Sequence, residues 1–162
     1  MATKADFTAD EWNQIQRAPF MAGLAVVAAS PSGLRCNEGI VRCWENAGEV
    51  KTQGTSNELI KGLVADIEAG AKDLNALAEL KGKTPDQVKS YAIECCGQVG
   101  LLVDKRAKPD EAQGFKQWLV SAALKVAEAA KEGGFLGFGG TRVSEQEAAT
   151  IKELSTTPGV KM

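Results

Sequence analysis

The sequence predicts an all-α fold: a compact multi-helix bundle of about six to eight mostly antiparallel helices, with no sheet. Three observations predict it. Apolar residues recur at intervals of three and four along most of the chain. A Ser or Thr stands three residues ahead of a Glu or Gln at Thr8, Thr55, Thr84 and Ser144, the signature of a helix start whose side chains satisfy the free N–H groups of the first turn. No stretch alternates apolar and polar residues over a strand length, and no unit repeats at a fixed period.

The first helix begins at Thr8, with Glu11 reaching back to the cap, Phe7 just outside and Trp12 one turn in. Trp12, Ile15, Pro19, Ala22 and Val26 form its stripe, and Pro19 should kink or split it, because the ring clashes with the preceding turn. Ser30-Pro31-Ser32-Gly33 ends that segment. Cys36, Ile40, Cys43, Trp44 and Ala47 then mark the buried face of a short helix, followed by a polar connection from Gly48 to Gly54. Thr55 and Glu58 box the next start, leading to Ile60, Leu63, Val64 and Ile67. Past Gly70 the stripe resumes at Ala71, Leu74, Leu77 and Ala78, as one long helix or two short ones.

Thr84-Pro85-Asp86-Gln87 is the clearest boundary, with a capping threonine, proline at the first helical position and a closing glutamine. Val88, Tyr91, Ala92, Cys95, Val99, Leu102 and Val103 follow on one side, and Gly97 and Gly100 permit the close approach of a neighbour. Pro109 opens another helix, with Phe115, Leu119, Ala122, Val126 and Ala129 inward and Lys116, Lys125 and Glu128 toward water. Gly133-Gly134 stops it. Ser144 and Glu147 box a last helix carrying Ile151 and Leu154. Residues 1–162 read as a single helical domain, with 1–6 and 156–162 expected to fray.

Composition narrows the function classes. Hydrophobic residues make up 44% and charged residues 25%, the balance of a globular protein able to build a core without disulfides. A net charge of -2 and the absence of a concentrated basic face argue against nucleic-acid binding, since Lys105, Arg106 and Lys108 cluster at a helix end where positive charge favours the dipole. The greasiest run, Ala18 to Ala29, contains Pro19 and Gly23 and falls short of the roughly 20 residues a membrane span needs, so no transmembrane segment is expected. The N-terminus lacks the basic and apolar regions of a secretory signal, which predicts a cytoplasmic protein with reduced thiols.

Reaction chemistry is sparse. The chain has no histidine, so the commonest general base and zinc ligand is missing, and serine–histidine and cysteine–histidine nucleophile systems are excluded. The carboxylates scatter over helix faces; Asp66 and Glu68, two apart, point in different directions. Asp6, Asp10 and Glu11 cluster at a helix start, where acidic residues favour the dipole. Cys36, Cys43, Cys95 and Cys96 could form a thiolate metal or redox site if their helices met. Neither pair has Cys-x-x-Cys spacing, and adjacent helical cysteines point about 100° apart, so buried packing thiols are the expectation. No cofactor is expected.

The segment with most character is Gly133-Gly134-Phe135-Leu136-Gly137-Phe138-Gly139-Gly140-Thr141-Arg142. Its five glycines reach backbone angles closed to other residues, while Phe135, Leu136 and Phe138 favour leaving water, an unusual mixture for a plain linker. It follows a helix rather than a strand, lacks the third glycine of a dinucleotide fingerprint and has no Gly-Lys-Ser/Thr ending. Three uses fit these residues: a packed turn, an exposed contact surface, or an anion site in which Arg142 and the N–H groups of the helix capped at Ser144 hold a small anion.

The segment Ala127-Glu-Ala-Ala-Lys-Glu-Gly-Gly-Phe-Leu-Gly-Phe-Gly-Gly-Thr-Arg-Val-Ser-Glu, with Phe7-Thr-Ala-Asp-Glu-Trp12 and Ala18-Pro-Phe-Met-Ala-Gly-Leu-Ala, resembles a family of small uncharacterised bacterial helical proteins. The likeness is strongest at the two ends and most specific in Gly-Gly-Phe-Leu-Gly-Phe-Gly-Gly. It implies a bacterial origin and a cytoplasmic setting and carries no activity; the cysteines and residues 48–54 are not part of it. Residues and resemblance together lead us to expect a non-catalytic interaction or accessory protein that uses residues 133–142 to contact a protein partner or another copy of itself.

Overall fold

The computed structural model describes residues 2–29, 57–69, 82–132, 145–157 and 159–160. Among them the protein is all-helical, without a strand. One turn of 3-10 helix, Lys4–Asp6, precedes five α-helices: α1 (Ala9–Ala29), α2 (Glu58–Glu68), α3 (Pro85–Arg106), α4 (Pro109–Glu132) and α5 (Glu145–Thr156). Five is below the six to eight the sequence predicts. The stripes at 34–47 and 71–81, on which further helices were predicted, lie outside the described residues.

Local chemistry accounts for most of the boundaries. At α1 the Thr8 N–H donates to Glu11 Oε2 at 2.8 Å and the Glu11 N–H donates to Thr8 Oγ1 at 3.2 Å. Phe7 closes the entry against Trp12, ring centroids 5.8 Å apart. At α3 the same reciprocal box joins Thr84 and Gln87, at 3.0 and 3.3 Å. The start of α2 differs from the Thr55–Glu58 box predicted. Asn57 is the cap, accepting the Leu59 N–H at 3.1 Å while its own amide donates to the Glu111 carbonyl at 2.9 Å. One side chain thereby caps α2 and ties it to α4, a tertiary advantage that local pattern does not reveal.

Two further expectations are corrected. Helix α1 is not split at Pro19 but runs on through it. Proline removes an N–H and costs about 3 kcal/mol in a free helix, yet every residue from Ala18 to Ala28 is buried, and that burial outweighs the local cost. Lys116, expected to face water, is buried on α4, with Nζ 2.7 Å from an Asp104 carboxylate oxygen of α3. Its aliphatic stem covers apolar surface while the ammonium stays paired.

Helix α1 is the axis of the assembly, packing most extensively against α3 and α4 and also touching α2 and α5. Its C-terminal half, Phe20 to Ala28, meets Val88, Ala92 and Cys96 of α3, Ala123 and Ala127 of α4, and Leu154 of α5. Its N-terminal half, through Trp12, Ile15 and Ala18, meets Leu59, Ile60 and Leu63 of α2, Val99 and Val103 of α3, and Phe115, Trp118 and Leu119 of α4. On α3 the fully buried cysteine is Cys96 rather than Cys95, because Cys96 continues the Val88–Ala92 row by one turn.

The sequence predicts fraying over 1–6 and 156–162. Within the first of these segments Ala2 is buried, and its N–H donates to both carboxylate oxygens of Glu111 at 3.1 and 3.2 Å. Within the second, Val160 is buried and Gly159, at φ +93°, lies directly on α3: a Cβ at Gly159 would overlap the Gly97 carbonyl, and one at Gly100 the Gly159 carbonyl. The close neighbour that Gly97 and Gly100 permit is this turn.

Candidate functional site

The described surface carries an open groove of about 680 Å³ where the Lys4–Asp6 turn, the start of α1 and the end of α2 meet. Phe7 and Trp12 form its apolar wall, and Asp66 of α2 its polar centre. Three donors converge on a single oxygen, Asp66 Oδ2: Lys4 Nζ at 2.7 Å, Trp12 Nε1 at 2.8 Å and Gln16 Nε2 at 3.3 Å. Oδ1 accepts none of the three. Lys4 Nζ also stands 6.0 Å from the Trp12 ring centroid, within cation–π range.

The elements explain the convergence. Trp12 and Gln16 are four apart on α1 and so share a face, and the Phe7–Trp12 contact sets the indole so that its N–H reaches across to α2. Asp66 lies in the last turn of α2, the negative end of that helix dipole, and this turn has no basic residue. Compensation comes from other elements. The Lys4 ammonium first, then the Trp12 indole N–H, hold the Asp66 carboxyl below the usual aspartate range despite partial burial. The site is thus an ionised carboxylate oriented by two neutral donors and covered by one ammonium.

The residues singled out from the sequence are distributed differently. Gly133, Gly134, Phe135, Leu136, Gly137, Phe138, Gly139 and Gly140, with Arg142, Ser144, Cys36 and Cys43, lie outside the described residues. Helix α5 begins at Glu145, directly after Ser144, and carries Glu145 and Glu147 in its first turn. Cys95 is half-buried and Cys96 fully buried, its thiol donating to the Ala18 carbonyl at 3.5 Å. Burial pushes the Cys96 thiol well above the ordinary cysteine value, so the nucleophilic, metal-binding thiolate is disfavoured. Among the described residues no three His, Cys, Asp or Glu side chains are grouped to hold a metal ion, and no helix is long and apolar enough to cross a membrane.

Sequence reading missed Lys4 and Asp66 as partners, 62 positions apart. One signal is legible on the two-helix alternative alone: if the helix ends at Gly70, Asp66 lies close to its C-terminal end with no lysine or arginine beside it, a placement that local stability disfavours. No family model, curated protein or solved structure matches the chain.

Proposed function

We propose that the protein is a non-catalytic bacterial interaction or accessory protein, and that residues 133–142 are its contact surface for a protein partner or a second copy of the chain. The observation that carries this reading is the composition of the segment: five glycines interleaved with Phe135, Leu136 and Phe138 between two helices. The frame around it supports the reading. Ala127 of α4 and Thr150 and Leu154 of α5 are buried, so the helices on both sides of the segment are held in the core. A partner bound by the segment would thereby be tethered at both ends to the packed core rather than to a free tail.

Hydrogen exchange of the isolated protein, together with a Phe135→Ser/Phe138→Ser double variant, tests it. Exchange at 133–142 should be much faster than in α1, and the double variant should keep its helicity and melting temperature while losing any concentration-dependent association seen by sedimentation. Exchange as slow as that of α1, or a melting temperature lowered by about 10 °C or more, would make both rings part of the core and overturn the reading.

A further inference from the structure

The groove at Asp66 is built from residues of the N-terminal turn, α1 and α2. An ammonium ion is best held by a carboxylate on one side and an aromatic face on the other, the indole being the strongest of these faces. Asp66 and Trp12 supply that pair, and Lys4 Nζ already sits between them, 2.7 Å from Oδ2 and 6.0 Å from the ring centroid. The carboxylate is preorganised. Trp12 Nε1 and Gln16 Nε2 fix Oδ2 without adding charge, while Oδ1 takes none of these bonds and keeps acceptor capacity for an incoming N–H.

The occupant, by contrast, is loosely held. The Lys4 side chain is 63% exposed and hangs from a three-residue turn, the setting in which ion pairs hold weakly. At about 680 Å³ the groove is much larger than one ammonium end and leaves room for the chain that carries it. The position of Asp66 at the negative end of α2 with no basic residue in that turn opposes local stability, and such conflicts concentrate where a residue serves binding.

We propose that this groove binds a primary alkylammonium group from outside, the end of a free polyamine or a lysine side chain, and that Lys4 occupies the seat as an internal, displaceable stand-in. Displacement exchanges one ammonium for another at Asp66, so the site stays charge-balanced throughout.

The test uses the full chain and a Lys4→Met variant, titrated with 1,5-diaminopentane at constant ionic strength while the Trp12 indole N–H resonance is followed by NMR. Both proteins should show a saturable shift. The Lys4→Met variant should bind about five-fold tighter, since a weak internal competitor has been removed. Potassium chloride at matched ionic strength should produce no saturable shift. A capped peptide containing a single lysine, run in parallel, separates the sources: saturation as tight as with the diamine assigns the seat to lysine side chains, and saturation by the diamine alone assigns it to free amines. No saturable shift in the Lys4→Met variant, or weaker binding than in the parent, would overturn the proposal and leave Lys4 as an anchor of the N-terminal turn. The comparison needs no change at Asp66 and so does not depend on how an Asp66 variant folds.

Discussion

Toward its C-terminal end α1 sets Ala22, Ala25 and Ala28 among Phe20, Met21 and Leu24, and its neighbours answer with Ala92, Cys96, Ala123 and Ala127 beside Val88 and Leu154; toward its N-terminal end it offers Trp12 and Ile15, answered by Phe115, Trp118 and three leucines. At the first end small side chains bring backbones together, to the point where the Gly159 turn lies on Gly97 and Gly100 without room for a Cβ. At the second, the Phe7 and Trp12 rings border the groove around Asp66. One helix thus serves an end where alanines interleave with large residues and an end that borders an open cleft.

The contrast predicts where added volume is harmful. Truncation should be costly at either end: Phe115, fully buried at the aromatic end as Phe20 is at the other, should cost about 3–5 kcal/mol as Phe115→Ala, measured by chemical denaturation. Enlargement should hurt at the small-residue end, where Ala22→Leu should cost about 1–3 kcal/mol by overpacking. If Ala22→Leu were tolerated without loss, the close packing of that end would be refuted.

Gly100→Ala sharpens the same point with a control inside the chain. The added methyl collides with the Gly159 carbonyl, so the variant should lose about 1–3 kcal/mol and speed hydrogen exchange at the Val160 N–H, which donates to the Thr157 carbonyl at 2.9 Å. In a chain shortened after Thr156 the same substitution should instead stabilise by about 0.5–1 kcal/mol, because alanine is the better helix former. A cost that persisted in the shortened chain would place the clash elsewhere.

Legibility in the sequence followed the range of the interaction. Boundaries fixed within four residues could be read directly: the boxes at Thr8 and Thr84, the Phe7–Trp12 contact and the basic last turn of α3 all form as their patterns predict. So could the need for a close neighbour at Gly97 and Gly100, though not which segment supplies it. Features that depend on a distant partner could not be read. Asn57 displaces Thr55 as the cap of α2 because Glu111 accepts its second bond, Lys116 is buried because Asp104 meets it, and α1 passes through Pro19 because neighbouring helices enclose it. The Asp66 cluster is the extreme case. Its four members come from the 3-10 turn, α1 and α2, and only their meeting gives the carboxylate its environment.

The smallest expected effect bears on the aromatic end's polar centre. Asp66 is ionised in the folded protein to lower pH than an ordinary aspartate, because its charge is stabilised first by Lys4 and then by Trp12. A group whose folded value lies below its unfolded value stabilises the fold in full above the ordinary aspartate range, and that contribution is lost as pH falls through the range toward the folded value. Asp66→Asn removes it at all pH values. Parent and variant should therefore differ by about 1 kcal/mol near neutrality, the scale of a partly exposed charged hydrogen-bond cluster, and converge in acid. Asp6 and Glu11, also held low by backbone N–H groups, lose their contributions in acid in both proteins, so the difference between the two curves isolates Asp66. Lys4→Met should move the convergence to higher pH, since the largest cause of the lowered value is gone. Curves that stay parallel into acid would mean that the carboxylate's charge is irrelevant at this end of α1, leaving the aromatic packing alone to set it apart from the other.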